Sequence, residues 1–388
     1  MDLVHYDCIT AAGLGPQALI KGLIDGRDFS VAIQGNEWRQ SVPTGGRVCF
    51  IPRELQAAPI KERTYQEAYE DYLDQVWNRF YKNLAVESQL FLKKSKVLIL
   101  FSSTKGIIED YIWDYADSTA EARFAPDPFF MPLHYFKKKN LGHFGSADAL
   151  VISNACASSH IALQVAKANL ELEIYEAVIV IAADLIGPFI YQGFLSLKVM
   201  SPTRNKPFSA DRDGLQLGEA LAILLLTKHQ PLQKNIKISN VTSDTEGGSV
   251  TRPSMNGESL YRALKKLNDS NSMADFYVAH GTGTRFNDAS EEAALIRYDA
   301  SDAPTVGIKW SIGHTLGASG ALDLITACEM MKSKKLFYLE NTLQKDQTFK
   351  KNYLTKKLTV ETPAFCRAVV TSLGFGGVHA ALQVEAPR

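Results

Sequence analysis

Cys156, in "SNACASSHIAL" (Ser153–Leu163), stands among small residues where an apolar run gives way to a helical pattern. A cysteine in such a place is either a small packed hydrophobe or a nucleophile. A helix beginning near Ala157 would aim its free N–H groups and positive dipole end at the sulfur, favouring thiolate over thiol. Ala155, Ala157 and Ser158 would leave room for a substrate. Three other segments carry groups that could serve such a nucleophile. "VAHGTGTRFNDASEEAAL" (Val278–Leu295) puts His280 directly after an expected strand, before Gly281 and Gly283, which permit unusual backbone angles and close approach to a ligand. "IKWSIGHTLGASGALDL" (Ile308–Leu324) has Lys309 at an expected strand end and His314 near an expected helix start. The dipole there disfavours imidazolium and leaves a neutral ring that can donate a hydrogen bond. "SLGFGGVHAAL" (Ser372–Leu382) sets Phe375 between glycines. That loop either turns tightly into a strand or presents backbone N–H groups to an oxyanion. His280 and Lys309 also have ordinary structural readings, a strand-end histidine and a salt-bridged lysine.

Short aliphatic and β-branched runs read as the buried strands that must position these residues: Lys96–Phe101, Ala149–Ser153, Ala177–Ala183, Ala220–Thr227, Asp275–His280, Thr305–Lys309 and Arg367–Leu373. Gln66–Phe80, His160–Glu173 and Gly320–Lys332 read as helices between them. Alternation of this kind predicts an α/β fold with buried sheets. The turn-rich stretches Lys228–Lys237 and Asp244–Gly257 would separate two halves, 1–230 carrying the cysteine and 231–388 carrying the histidines. "ALVISNACASSHIAL" and "TVGIKWSIGHTLGASGALDLI" are each strand, small-residue loop, then helix, which hints at duplication.

With 388 residues, 46% of them hydrophobic, the chain can bury a core of more than one domain's size. Lys plus Arg and Asp plus Glu are 42 each, so no global charge points to nucleic acid. The five cysteines are far apart with no CxxC pair, as expected of a reduced, cytoplasmic protein without a disulfide scaffold or zinc site. The first residues, "MDLVHYDCIT", do not read as a signal peptide, and the apolar runs are too short to insert in a membrane.

In order and pairing, "NACASSH", "PFSADRDGLQLGEA" (Pro207–Ala220), "AHGTGTRFND", "KWSIGHTLGASGA" and "LGFGGVHA" resemble the β-ketoacyl-[acyl carrier protein] synthases, decarboxylating condensing enzymes of the thiolase superfamily. The resemblance runs over nearly the whole chain. It implies a thiolase-like five-layered αβαβα fold with two similar halves, each holding a mixed, mostly parallel sheet. Cysteine with two histidines, and no second cysteine in the final glycine-rich loop, implies elongation rather than thiolysis or chain initiation. By the same resemblance Cys156 is the nucleophile and His280 and His314 act in decarboxylation. Lys309 tunes their field, and the N–H groups of Cys156 and Phe375 form the oxyanion hole. Thr282, Thr284, Phe375 and Gly376 line the substrate path, and Lys61, Arg63, Arg123 and Arg204 form a basic rim for an acidic acyl carrier protein. No metal or organic cofactor is implied, phosphopantetheine belonging to the carrier. A homodimer, or a heterodimer with a second ketosynthase-like subunit, is implied with its interface near the acyl pocket.

The chain departs from the family pattern in several places. It is shorter between Lys228 and Ser272, has Val378-His379 where Thr-Asn is usual, and has Asp323 where glutamate is usual. Trp310 sits beside Lys309, and "FSSTKG" (Phe101–Gly106) brings Lys105 toward a segment that usually lines the acyl pocket. These changes point to a specialised synthase, for fatty-acid, polyene or polyketide products. Two alternatives stay open at this point: a chain-length-setting partner of a heterodimeric ketosynthase, against which Cys156 argues, and a thioester-binding or hydrolysing protein without condensing activity.

Overall fold

The computed structural model describes residues 1–116, 127–228, 236–267, 274–355 and 366–386. Ten of its strands carry the architecture. The first five are β1 (Asp2–Thr10), β2 (Lys96–Ser102), β3 (Ser146–Ile152), β4 (Ala177–Asp184) and β5 (Ala220–Thr227). The next five are β6 (Ile236–Thr245), β7 (Phe276–Val278), β8 (Pro304–Val306), β9 (Arg367–Leu373) and β10 (Val378–Glu385). The N-terminal set runs in the order β1-β5-β4-β2-β3, with two antiparallel pairings and then two parallel ones. The C-terminal set repeats that order and those senses as β6-β10-β9-β7-β8. Each strand therefore has a counterpart five places on. The two sets join edge to edge where Asp2 and Leu3 pair with Lys237 and Ile236.

The seven helices used below are α1 (Tyr65–Asn83), α2 (Phe130–Asn140), α3 (Ser158–Glu171), α4 (Pro188–Ser196), α5 (Glu258–Lys265), α6 (Arg285–Tyr298) and α7 (Ser319–Ser333). Helix α1 starts in a capping box: the Thr64 hydroxyl accepts the Glu67 N–H while the Glu67 carboxylate accepts the Thr64 N–H. Its face of Tyr69, Tyr72, Leu73, Val76, Trp77 and Phe80 covers the outer side of the N-terminal sheet, and α2 packs beside it. On β4, Ile179 and Ile181 meet that outer layer, while Val178, Val180 and Ala182 face the centre. Both faces of the strand are dry, hence its unbroken apolar run.

Helices α3 and α7 form the central layer between the two sheets, and α5 with α6 closes the far side, giving five layers. Helix α7 is buried around almost its whole circumference, as a middle-layer helix must be. The two central helices cross at Gly320, where an added Cβ would lie 2.3 Å from His160 Nδ1.

Of the two stretches expected to separate the halves, Lys228–Lys237 follows the last strand of the N-terminal set in the chain, and Asp244–Gly257 follows β6, the first strand of the C-terminal set. The expected boundary at 230/231 falls outside the described residues. Lys309 is not at a strand end: β8 stops at Val306, and Lys309 opens a four-residue helix, Lys309–Ile312. Among the described residues no helix is long and apolar enough to cross a membrane.

Candidate active site

In open α/β sheets, ligands collect beyond the carboxyl ends of parallel strands. Four such ends meet here. The loop after β2 carries Thr104 and Lys105, the loop after β3 Cys156, the loop after β7 His280, and the segment after β8 Lys309 and His314. The turn between β9 and β10 adds Phe375. The duplicated topology thus puts the cysteine loop and the Lys309–His314 segment at equivalent positions of the two halves.

Cys156 lies between β3 and α3, directly after Ala155, whose φ of 47° is a strained left-handed value for a residue with a Cβ. The Ser372 hydroxyl donates to the Cys156 carbonyl at 3.0 Å, tying the turn to β9. His314 Nε2 is 3.0 Å from Cys156 Sγ. The His280 ring stands perpendicular to that of His314, centroids 5.1 Å apart. Both ring nitrogens of His280, and Nδ1 of His314, are buried without a hydrogen-bond partner among the described residues. The three side chains expected to act together are in one place.

Their electrostatics differ in part from expectation. Burial pushes the Cys156 thiol up to about 11, and the Phe375 N–H and the Lys309 charge offset this only in part. Thiol, not thiolate, is the resting form, because desolvation outweighs the Phe375 and Cys156 N–H groups and the Lys309 charge. Both histidines are held well below the usual imidazole range. Burial is the main cause for each, followed by the charge of Lys309. The Lys309 ammonium is 3.0 Å from Asp323 on α7, both fully buried. Burial lifts the Asp323 carboxyl to about 6 against the pull of Lys309.

Groups that the sequence reading did not single out hold this arrangement. Glu291 on α6 accepts the N–H groups of His280 (2.7 Å) and Gly281 (2.9 Å), fixing a loop whose Gly281 and Gly283 have φ of 44° and 74°. Asp184, at the end of β4, accepts the N–H groups of Thr104 (3.0 Å) and Gly317 (2.7 Å), linking the two halves. Their signal in the sequence was a carboxylate inside an otherwise buried pattern. Of the expected substrate-path residues, Thr282 is buried with its hydroxyl 3.1 Å from that of Thr284, and Gly376 is exposed.

The expected basic rim is only partly present. Lys61 is exposed, and Arg204 is exposed and 3.6 Å from Asp28. Arg63 does not belong to it: its guanidinium is buried, donating to the Tyr72 hydroxyl at 2.5 Å and lying 3.4 Å from Asp71. Arg123 lies outside the described residues. Beside Cys156 opens a cavity of about 390 Å³, walled mainly by Ile108, Phe129, Phe189, Ile190, Phe194 and Phe375.

The chain matches the family descriptions "Beta-ketoacyl synthase, N-terminal domain" over residues 146–231 and "Beta-ketoacyl synthase, C-terminal domain" over 235–342, half of its length together. The chain belongs to the β-ketoacyl synthase family. It is an acyl-transferring condensing enzyme. It is 26% identical over 313 residues to 3-oxoacyl-[acyl-carrier-protein] synthase 2 of Mycobacterium leprae, covering 74% of this chain and 73% of that one. To equisetin synthetase of Fusarium heterosporum it is 30% identical over 269 residues, 61% of this chain and 7% of that much longer protein. The fold is shared across the whole chain with a ketosynthase in complex with its chain length factor from Xenorhabdus doucetiae (TM-score 0.81, 21% identity, 98% of that chain). It is shared likewise with a β-ketoacyl synthase from Burkholderia phymatum (TM-score 0.82, 20% identity, 99% of that chain).

Proposed function

We propose that this synthase joins a malonyl unit to an acyl group held on Cys156, by decarboxylative Claisen condensation, in specialised fatty-acid, polyene or polyketide biosynthesis. The observation that carries the reading is the 3.0 Å contact of Cys156 with His314, beside His280, at an apolar cavity. Attack of Sγ on a carrier-bound acyl thioester forms the new thioester. The Sγ proton passes through His314 Nε2 to the departing phosphopantetheine thiolate. The N–H groups of Cys156 and Phe375 hold the oxyanion. A malonyl thioester then loses carbon dioxide, and its enolate oxygen takes hydrogen bonds from the two neutral imidazoles. Neutrality matters, because an imidazolium would surrender its proton and quench the carbanion. That carbanion attacks the acyl-enzyme carbonyl, and collapse releases the β-keto product and the Cys156 sulfur. Loss of carbon dioxide supplies the driving force, so the scheme takes no metal or organic cofactor.

An acyl carrier protein is the proposed donor. Arg204 and Lys61 supply positive charge near an apolar groove that includes Phe29, Val31 and Phe50. We place the reaction in the cytoplasm, which suits the buried thiols of Cys8, Cys49 and Cys328. A second subunit, identical or ketosynthase-like, is the proposed partner at the open edge of β3. The test is intact-protein mass spectrometry with acyl- and malonyl-carrier protein, alone and with candidate second subunits. The expected result is an acyl adduct on Cys156 followed by a β-keto product. Acylation without elongation under every condition would overturn it.

A further inference from the structure

The neighbouring strands β4, β2 and β3 begin level with one another: Val97 pairs with Ala177, and Lys96 with Ser146. The chain therefore comes back to their amino ends three times, through the short helix Val86–Leu92, through residues 141–145 and through residues 172–176. These connections are packed together. The Gly145 N–H donates to the Leu92 carbonyl at 3.1 Å, and the His143 ring centroid is 4.1 Å from that of Tyr81 on α1. The Lys96 N–H donates to the Glu176 carboxylate at 2.5 Å. This end is unlike the rest of a chain whose charges balance. Residues 80–96 hold Lys82, Lys93, Lys94 and Lys96 against Glu87 alone, and residues 134–146 hold Lys137, Lys138 and Lys139 with no carboxylate. Lys96 and Lys139 pair with Asp148 and Asp74, but the other five lysines make no ion pair among the described residues. Beside them stand Val86, Leu90, Leu141, Leu172 and Ile174, between 45% and 71% exposed.

Unpaired lysines around exposed aliphatic side chains complement an anionic bilayer, whose phosphates meet the ammonium groups while the aliphatic groups enter the interface. Other occupants fit less well. A second copy of the chain would bring the same lysines face to face. A carrier protein seated here would stand at the wrong end of β3, whose seven residues alone put about 20 Å or more between it and Cys156. We propose that this end of the N-terminal half docks on an anionic lipid surface. The acyl cavity, at the opposite end of the same strands, then faces the aqueous side and stays open to a carrier.

The test is flotation of the full chain with vesicles of equal parts phosphatidylglycerol and phosphatidylcholine, and with vesicles of phosphatidylcholine alone. The chain should float with the anionic vesicles, less so as salt is raised, and hardly at all with the neutral ones. Lys93→Glu, Lys94→Glu and Lys138→Glu combined should weaken binding about 100-fold or more. Leu90→Ser with Leu141→Ser should weaken it too, yet leave its salt dependence in place. All five side chains are exposed, so both variants should melt with wild type by circular dichroism. Failure of the wild type to float with anionic vesicles would overturn the proposal whether or not the variants fold. Flotation of the charge-reversed chain equal to that of wild type would do the same. Charge reversal that slows loading of Cys156 from a carrier protein but spares flotation would give the patch to the carrier instead.

Discussion

With its thiol lifted to about 11, Cys156 carries roughly one thiolate per ten thousand molecules at neutral pH. The reactive fraction grows tenfold with each pH unit below that value. Alkylation of Cys156 by iodoacetamide, followed by peptide mapping, should therefore accelerate about tenfold per unit from pH 7 to 10, levelling only near 11. A plateau near pH 8 would mean that the helix terminus and Lys309 dominate after all. The identity of the residue was legible in its small neighbours, but its protonation state was not. A dipole can be inferred from local sequence, whereas desolvation sums over every layer that closes around the sulfur. The two histidines differ in the same way. His314 touches Sγ, while both nitrogens of His280 are unpartnered. His280→Ala should slow malonyl decarboxylation by about 100-fold or more while sparing acylation, and His314→Ala should slow both. Single-turnover acylation and carbon dioxide release, measured separately, check the split.

At the level of elements, the long apolar runs announced themselves: the expected Ala220–Thr227 and Arg367–Leu373 coincide with β5 and β9. β1 and β6 escaped notice because both are central strands with polar interruptions, such as Asp7 and Asn240, and neither presents an unbroken run. Arg63 was misplaced for a related reason. It stands among charged residues in the chain, but the approach to α1 turns it inward onto Tyr72. Helix contacts are likewise invisible until two distant segments are superposed, as at Gly320. Gly320→Ala would drive a methyl group into the His160 ring and force α3 and α7 apart. Overpacking of this kind costs about 1–3 kcal/mol. Urea unfolding should show that loss, together with reduced acylation, since α3 begins two residues after Cys156.

For the whole molecule, the repeated strand order raises a question of edges. On its outer side β8 pairs with the short strand Asn352–Tyr353. Its counterpart β3 has no outer strand among the described residues. Ser146, Asp148 and Leu150 are exposed along it, alternating with half-buried Ala147, Ala149 and Val151, and Leu150 is 49% exposed. An open edge with an exposed aliphatic residue is a template for strand addition. The same strand leads within four residues to Cys156, so a subunit paired along β3 would stand close to the acyl cavity. The pairing would extend the sheet through the assembly and bury Leu150 against its partner. Leu150→Arg should leave the fold of the monomer intact, because the side chain points outward, and should weaken the assembly at least about tenfold, the effect of one desolvated charge at an interface core. Sedimentation velocity over a range of concentrations, with the chain alone and with a candidate second subunit, gives the answer. Assembly unchanged by the substitution would move the interface to another face.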